Sequence, residues 1–367
     1  MANNTNQTYD VIGLMSGTSL DGLDMAFCRF TADNNTWNFE IVHSETKPYS
    51  AEWRERLSNL DNATTLQFLA TDIDYGNYLG RCVSDFIIKN RIKADFVSSH
   101  GHTIFHQPEN KLTVQIGNGN AIAAACKLPV VCDFRSLDVA LGGQGAPLVP
   151  IGDKMLFSEY DYCLNLGGFA NLSYDLPFPI GEGSGERRAF DICPVNIVMN
   201  AICEKMGKPY DDKGEIARSG LVSKYLLNEF NQLSFYRQAP NKPKSLGKEW
   251  VVQHIDPIIE QYEVEQNDLL STFVEHVAIQ ISKAVDYKKA TKLLVTGGGA
   301  YNDFLIEKLR ELIPSEIIIP DKRTIEFKEA LIFAFLGVLR MRNEINCLKS
   351  VTGAREDNCG GAVYFAS

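Results

Sequence analysis

Residues 9–27, YDVIGLMSGTSLDGLDMAF, constrain the fold most, because two apolar runs flank a short corner of small and acidic residues. Apolar runs of this length around a glycine-containing corner predict a strand, a tight turn and a returning strand. The corner residues Ser16, Gly17, Thr18 and Ser19 offer backbone N–H groups without bulk and three hydroxyl donors. That composition suits a loop that holds phosphate oxygens.

Two acidic residues follow this corner, Asp21 and Asp24, with Gly22 between them. Magnesium keeps several of its waters in proteins and is bound through only one or two carboxylates. We therefore predict a Mg²⁺ site at Asp21 and Asp24. An ordinary β-hairpin with a polar corner is the alternative. The density of hydroxyl and acidic side chains favours the nucleotide site.

Apolar runs leading into glycine recur at residues 163–175, CLNLGGFANLSYD, and at residues 292–304, KLLVTGGGAYNDF. This repeat favours a duplicated α/β domain with a nucleotide held between the halves, although such corners occur in many α/β proteins. The third corner ends a strand and precedes a helix predicted at 303–312. A glycine turn at a helix N-terminus is suited to an anion or a ribose, and a tight strand-to-helix turn is the alternative.

The bulk properties predict a globular protein with more than one domain. A chain of 367 residues exceeds the size at which single cores stop growing, and its hydrophobic share is 45%. The formal net charge of −10 disfavours nucleic acid and anionic membranes as partners. The nine cysteines contain no C-x-x-C pair, and the N-terminus lacks a signal-peptide pattern. We therefore expect reduced core thiols in a cytoplasmic protein.

Apolar periodicity predicts the remaining elements. No Walker A or H-E-x-x-H motif is present. Loops rich in proline and glycine or in proline and lysine are predicted at 176–188 and 237–248, and a strand at 94–98. Helices are predicted at 66–92, 118–126, 195–206, 269–286 and 326–342.

Outside the corners, an aspartate, a pair of histidines and an arginine are candidate functional residues. Asp191 follows the strand-like residues 188–190, and is either an active-site acid at a strand end or the N-cap of the next helix. His100 and His102 would share a face of an extended strand, where neutral histidines with local partners are favoured over a metal pair. Arg135 is either a surface ion-pair partner or a carboxylate ligand.

Five segments together resemble blocks of the anhydro-N-acetylmuramic acid kinases, a branch of the actin/hexokinase/Hsp70-like ATPase superfamily. They are MSGTSLDGLD in the first corner, SHGHTIFHQP at 99–108, VCDFRSLDVALGGQGAPLVP at 131–150, LNLGGFANLS at 164–173 and VTGGGAYN at 295–302. The resemblance implies a duplicated actin-like (RNase H-like) α/β fold around a nucleotide cleft. We expect one domain at 1–134 with 343–367 and the other at 135–342.

The resemblance also implies roles for single residues. Asp191 matches the catalytic aspartate of a D-T-G-P-G-N block, in which Pro194 and Asn196 also match while Ile192, Cys193 and Val195 depart. The resemblance implies that four residues contact the sugar, namely Thr103, Arg135, Glu329 and His102. Family members usually have glutamine at the position of His102. A solvent-facing role at a helix start is the alternative for Glu329. Asn118-Gly119 stands where members usually show Asp-Pro. ATP contacts are expected at Ser16, Gly17, Thr18, Ser19, Asp21, Gly22, Asp24, Gly167, Gly168, Asn171, Gly297, Gly298, Gly299 and Asn302.

The implied activity is that of an ATP- and Mg²⁺-dependent kinase. It opens 1,6-anhydro-N-acetylmuramic acid with water activated by Asp191 and phosphorylates the released O6, as in peptidoglycan recycling. The resemblance also suggests a homodimer. A kinase for another anhydrosugar such as levoglucosan, and a non-enzymatic ATP-binding regulator, are the two alternatives.

Overall fold

The computed structural model describes residues 7–17, 20–33, 36–176, 185–237, 246–285 and 292–365. The chain divides into two compact units. Unit 1 comprises Met1–Leu156 and Phe327–Ser367, and unit 2 comprises Phe157–Glu326.

Unit 1 contains a six-stranded sheet and a separate two-stranded sheet. The large sheet has the order β13-β7-β4-β1-β2-β3, and β5 pairs with β6. The strands β1, β2 and β3 are antiparallel neighbours, whereas β4 and β7 run parallel to β1. The strands are β1 (Gln7–Ser16), β2 (Gly22–Asp33), β3 (Thr36–Pro48), β4 (Phe96–Ser99), β5 (His102–Gln107), β6 (Leu112–Ile116), β7 (Val130–Cys132) and β13 (Ala362–Tyr364).

Residues of α1, α2 and α3 join residues of the large sheet in the hydrophobic core of unit 1. The long helix α2 begins with a capping box between Thr64 and Gln67 and ends at Arg91 in the left-handed conformation. Its buried residues, among them Leu79 and Val83, join Ile12 and Leu14 of β1 in one hydrophobic core. The helices are α1 (Ala51–Ser58), α2 (Thr65–Asn90), α3 (Gly119–Cys126), α4 (Ser136–Ala140), α5 (Val149–Leu156), α13 (Lys322–Met341), which begins in unit 2, and α14 (Lys349–Thr352).

Unit 2 contains a five-stranded sheet with the order β10-β9-β8-β11-β12. Its strands are β8 (Tyr162–Leu166), β9 (Phe169–Asp175), β10 (Arg187–Pro194), β11 (Lys292–Thr296) and β12 (Glu316–Ile318). The fully buried face of α11 packs in a second hydrophobic core with this sheet. The helices are α6 (Asn196–Lys205), α7 (Glu215–Ser219), α8 (Lys224–Asn231), α9 (Lys248–His254), α10 (Asp256–Gln261), α11 (Gln266–Ala284) and α12 (Asp303–Leu312).

The two sheets share one topology. In each unit three antiparallel strands follow one another, and two further strands then add in parallel on the other side of the first. Both units therefore have the strand order 3-2-1-4-5 at their centre. The predicted α/β class and the duplication that defines the actin-like fold are confirmed by this repeated order.

The two compact units meet at 156/157 and 326/327, whereas the expected domain bounds were 134/135 and 342/343. The expected domain bounds stay a prediction. Helix α5 and most of α13 pack within unit 1. A Cβ on Gly13 of β1 would collide with the carbonyl oxygen of Ala330, so only glycine lets α13 approach the strand this closely. Lys328 of α13 and Asp153 of α5 form a buried ion pair at 2.7 Å.

The predicted helices and the strand at 94–98 are found with ends shifted by up to four residues. Glu329 is the eighth residue of α13, so the helix-start position expected for it is wrong. Most of the two predicted loops, 177–184 and 238–245, lies outside the described residues, and β10 already begins at Arg187.

Eight of the nine cysteines are buried, Cys359 is half-buried, and none forms a disulfide. The expectation of core thiols is therefore confirmed. Within the described residues, no helix is long and apolar enough to cross a membrane.

Candidate functional site

The first corner joins β1 to β2 as predicted. Ser16 ends β1 and Gly22 begins β2, and Leu20 between them has a φ of 58°. The Leu20 N–H donates to the Gly17 carbonyl at 3.3 Å, which closes the turn. Thr18 and Ser19 lie outside the described residues.

The Ser16 hydroxyl is used inside unit 1. Ser16 is only 3% exposed. Its Oγ accepts from the Tyr49 hydroxyl at 2.7 Å and lies 2.9 Å from His102 Nδ1. The Tyr49 hydroxyl is in turn 2.6 Å from that of Tyr75. Sequence reasoning missed Tyr49 and Tyr75, since nothing local marks either residue.

The two acids beside the corner differ in their surroundings. Asp21 is exposed, and its carbonyl accepts from the Tyr49 N–H at 3.3 Å. Asp24 is half-buried, and its Oδ1 accepts from Thr46 Oγ1 at 2.5 Å. Carboxylate oxygens of this kind fit a hard cation such as Mg²⁺. Within the described ranges, no group of three or more His, Cys, Asp or Glu side chains is arranged to hold a metal.

Two histidines from the SHGH motif lie in different environments, so the expectation that they share a face is wrong. Gly101 between them has a φ of 76°, which breaks the extended chain. His100 packs against Phe333 of α13 with ring centroids 4.5 Å apart, whereas His102 packs edge-on against Tyr75 of α2 at 6.3 Å. Thr103 is half-buried in β5, opposite Gln115 of β6.

Arg135 is a half-buried cation held by neutral acceptors. Its Nε and one terminal nitrogen donate to His100 Nε2 at 3.1 and 2.8 Å, and the other terminal nitrogen donates to the Gly145 carbonyl at 2.7 Å. No carboxylate of the described residues lies within ion-pair distance, so a surface ion pair is the wrong interpretation of Arg135. Desolvation lowers the pKa of Arg135 to about 10, although Glu329 opposes the shift.

Glu329 carries a perturbed carboxyl. Desolvation raises the pKa of Glu329, and the charge of Asp24 raises it further, while Arg135 and Lys328 oppose the rise. The Glu329 side chain nevertheless remains exposed to solvent.

A fully buried carboxylate, Asp138, supports the loop that holds Arg135. Its oxygens accept from the Gly145 N–H at 2.7 Å, Thr352 Oγ1 at 2.8 Å, Asn358 Nδ2 at 3.0 Å and the Cys347 thiol at 3.0 Å. Asp138 thus ties this loop to the C-terminal segment. Sequence reasoning did not single it out, because its partners at 347–358 are more than 200 residues away.

In unit 2 the second and third glycine corners lie side by side. Gly297 has a φ of 81°, and a Cβ there would approach Asn165 Oδ1 to 2.6 Å, so this position requires glycine. Asn196 joins the two corners: its Nδ2 donates to the Leu166 carbonyl at 3.1 Å and lies 3.6 Å from the Cβ position of Gly298. Gly168 is exposed, and its carbonyl accepts from residues at the start of α6.

Three further members of the predicted nucleotide set have local roles. Asn302 is the N-cap of α12, and its Oδ1 accepts from the Leu305 N–H at 2.9 Å. Asn171 of β9 pairs with Asn165 on one side and Asp191 on the other. Gly299 packs against Leu166.

Asp191 lies within β10, at a bulge between Asp191 and Cys193, rather than at the strand end. The N-cap position of α6 is Val195, which makes no side-chain cap, so the N-cap alternative for Asp191 is wrong. Its Oδ2 accepts from the Leu246 N–H at 2.8 Å. Burial raises the pKa of Asp191 to about 6, and the Leu246 hydrogen bond opposes this rise. A carboxylate with this pKa is suited to accept a proton near neutral pH.

Comparison with known proteins decides the family. Residues 9–366 match the sequence profile of the anhydro-N-acetylmuramic acid kinases. The chain belongs to this family. Proteins named anhydro-N-acetylmuramic acid kinase are 34% identical in Sulfurimonas denitrificans and Vibrio cholerae and 31% identical in Francisella tularensis subsp. novicida. Each similarity covers 96% of this chain and 98% of the relative.

Among solved structures, a ligand-bound xylulose kinase from Lactobacillus acidophilus aligns over 98% of this chain and 94% of its own, with 12% identity and a TM-score of 0.44. A similarity this low carries no conclusion about fold or function. The fold assignment rests on the repeated strand order, and the family assignment on the sequence match.

Proposed function

We propose that this chain is an ATP-dependent kinase that opens 1,6-anhydro-N-acetylmuramic acid with water and phosphorylates O6, giving N-acetylmuramic acid 6-phosphate. The observation that carries the proposal is the family match across residues 9–366. The surroundings of Asp191 and Arg135 support it, because one supplies a proton acceptor and the other an anion-binding cation.

In the proposed reaction, Asp191 accepts a proton from the attacking water. The water oxygen bonds to the anomeric carbon as the bond from that carbon to O6 breaks, and O6 then bonds to the γ-phosphorus as ADP leaves. The proton on Asp191 passes to solvent after the sugar is released. A raised pKa keeps Asp191 basic enough to accept this proton and still ionised at neutral pH.

Arg135 recognises the lactyl carboxylate in this proposal. Its described partners, His100 Nε2 and the Gly145 carbonyl, are uncharged, so its positive charge is not neutralised by a contacting acid. The planar guanidinium retains N–H groups that these two acceptors do not use. A carboxylate ligand would supply the missing negative charge. Thr103 and Glu329 are proposed as further sugar contacts.

The glycine corners are proposed to hold ATP, with phosphates at the first corner and adenosine near residues 167–171 and 297–302. Asp24 and Asp21 fit Mg²⁺ through their oxygen donors, and a cation would relieve the repulsion by which Asp24 raises the pKa of Glu329. When bound, Mg²⁺ neutralises phosphate charge. The residues of the chain supply alignment, which provides most of the rate in phosphoryl transfer.

Mass spectrometry of the product in H₂¹⁸O tests the reaction. Incubation with ATP, Mg²⁺ and the anhydrosugar should add one water and one phosphoryl group, with the ¹⁸O at the anomeric carbon and none in the phosphate. Asp191→Asn is the matched control. Phosphorylation of levoglucosan but not of the acidic sugar would favour the neutral-sugar alternative. Nucleotide binding with no product from either sugar would favour the regulator.

We also propose a cytoplasmic location, which the free buried thiols support because a reducing compartment preserves them. The proposed role is the recycling of peptidoglycan sugars. A homodimer is proposed from the resemblance alone, and size-exclusion chromatography with light scattering tests it. The net charge of −10 supports a small-molecule substrate rather than nucleic acid as the partner.

A further inference from the structure

The carboxyl of Asp191 is held through one of its two oxygens. The backbone N–H of Leu246 donates to Oδ2 at 2.8 Å, and Oδ1 accepts from no donor of the described residues. Asp211 in the same unit shows the contrast, because its Oδ1 accepts from the Ile216 N–H at 2.8 Å and its Oδ2 from the Ala217 N–H at 3.0 Å. Both oxygens of Asp211 are thus occupied inside the protein, whereas Asp191 keeps Oδ1 for another partner.

The Leu246 contact favours the ionised form of Asp191. A backbone N–H can only donate, and it bonds more strongly to a carboxylate than to a protonated carboxyl. Burial raises the pKa of Asp191 to about 6, and the Leu246 hydrogen bond opposes this rise. Loss of this N–H would therefore raise the pKa above 6.

Within the described residues, no charged side chain shifts the pKa of Asp191. Strand β9 places an uncharged asparagine opposite it. Burial and the charge of Asp191 raise the pKa of the Cys193 thiol, so this thiol keeps its proton near pH 7. Helix α11 packs against β10, and burial lowers the pKa of its His276 to about 3. Lys248 and Glu249 at the start of α9 are exposed.

The donor is held in place by the burial of α9, which begins two residues after Leu246. Val251 of α9 and Ile192, the neighbour of Asp191 in β10, belong to one hydrophobic core. Trp250 packs against the same core, and its ring centroid lies 5.3 Å from that of Phe235. The position of the Leu246 N–H therefore depends on how α9 packs in unit 2.

We propose that Leu246 is a positioning residue, whose backbone N–H holds Oδ2 of Asp191 and leaves Oδ1 to accept the proton of the attacking water, and that Trp250 keeps this donor in place. The role in the reaction rests on the proposed function, whereas the hydrogen bond does not. The water proton bonds to Oδ1, and the Leu246 proton stays on its nitrogen. The lower pH limit of activity is then determined by a residue 55 positions away from the base.

Replacement of the Leu246 amide by an ester, introduced as the α-hydroxy acid of leucine, removes the N–H and keeps the side chain. In ¹³C NMR titration of the aspartate carboxyls without ligands, the pKa of Asp191 should rise by about one pH unit, the range for one hydrogen bond to a charged group. Loss of a signal in Asp191→Asn identifies Asp191. Leu246→Ala retains the N–H and is the matched control. An unchanged pKa in the folded ester variant would overturn the proposal, whether or not the protein turns over the sugar.

The pH dependence of kcat/KM connects this contact to the reaction, because its fall at acidic pH reports the pKa of the base in the free enzyme. The fall should move upward by the same shift in the ester variant and in the same direction in Trp250→Ala. Trp37→Ala, which removes a half-buried tryptophan of unit 1, is the control and should keep the wild-type profile.

The outcomes separate the inference from the proposed function. A raised pKa of Asp191 with an unshifted kcat/KM profile would overturn the positioning role in the reaction. A wild type without turnover would overturn the proposed function and that role with it, and the NMR titration would then decide the hydrogen bond alone. Circular dichroism identifies any variant that has not folded. If the ester variant does not fold, an unshifted profile and an unchanged pKa of Asp191 in Trp250→Ala would overturn the proposal.

Discussion

Asp191→Asn should separate the chemistry of this residue from its structural role. The amide is nearly the same size as the carboxyl, and its oxygen can still accept from the Leu246 N–H. Binding of ATP and sugar should therefore persist. Because an amide cannot accept the proton of the attacking water, kcat should fall by at least ~100-fold, the low end for general-base catalysis.

The same substitution should stabilise the folded protein at neutral pH. Burial raises the pKa of Asp191 from 3.8 to about 6, which corresponds to about 3 kcal/mol of unfavourable ionisation in the folded state. The side chain is partly accessible to solvent, so we expect about 1–2 kcal/mol after screening. In a unit of this size that gain raises Tm by roughly 2–8 °C.

The sign of this effect depends on pH. In the folded wild type Asp191 binds its proton more tightly than in the unfolded chain, so the contribution of Asp191 to stability is full below pH 3.8 and declines as pH rises toward about 6. The stabilisation by Asp191→Asn should therefore be small at pH 4 and full at pH 8. Wild-type kcat should fall as pH drops below about 6, since protonated Asp191 cannot act as a base.

Steady-state kinetics at pH 5 and pH 8 measure the effect on kcat, and thermal melts at pH 4 and pH 8 measure the effect on stability. Asp212→Asn, which changes an exposed carboxyl of the same unit, is the matched control and should alter neither kcat nor Tm. Near wild-type kcat in Asp191→Asn would remove this residue from the mechanism. A Tm gain that is the same at pH 4 and pH 8 would refute the ionisation argument.

Four further substitutions test the other assignments. Arg135→Ala should reduce kcat/KM for the acidic anhydrosugar more than for levoglucosan. The difference should correspond to the ~1.5–3 kcal/mol of a charged hydrogen bond. Equal losses for the two sugars would contradict the carboxylate contact. Asp21→Ala and Thr18→Val should weaken ATP–Mg²⁺ binding, measured by calorimetry, more than they weaken sugar binding. Unchanged ATP affinity in both variants would mean that the first corner has a structural role and does not bind ATP. Asp138→Ala should lower unfolding free energy by about 3–5 kcal/mol, because several buried donors lose their acceptor; a denaturant midpoint equal to wild type would contradict this.

The architecture could be predicted because its signals are local. Apolar runs and glycine corners mark β1, β8 and β11 where they occur in the chain, and the repeated pattern indicated a duplication that the two sheets confirm. Helix α12 was found at its predicted bounds, directly after its Asn302 cap. Helix α2 begins one residue earlier than predicted, directly after the Thr64 cap, and ends two residues earlier than predicted.

The contacts of the site could be predicted only in part. Asp191 was found through its matching block, but its partner Leu246 is 55 residues away in a segment that has no strong pattern. The separation of His100 from His102 had a visible signal in Gly101, whose left-handed conformation breaks an extended strand. Tyr49, Tyr75 and Asp138 had none, because long-range burial alone determines their roles.

The alkylation rates of the buried thiols measure local opening of the folded protein. Burial raises the pKa of the Cys203 thiol to about 11 and that of Cys28 and Cys193 further, so an alkylating reagent at neutral pH meets almost no thiolate in the folded state. Six cysteines lie in unit 1 and three in unit 2, namely Cys28, Cys82, Cys126, Cys132, Cys347 and Cys359 against Cys163, Cys193 and Cys203. Mass mapping of time-resolved alkylation would thus give separate opening rates for the two units without any introduced label.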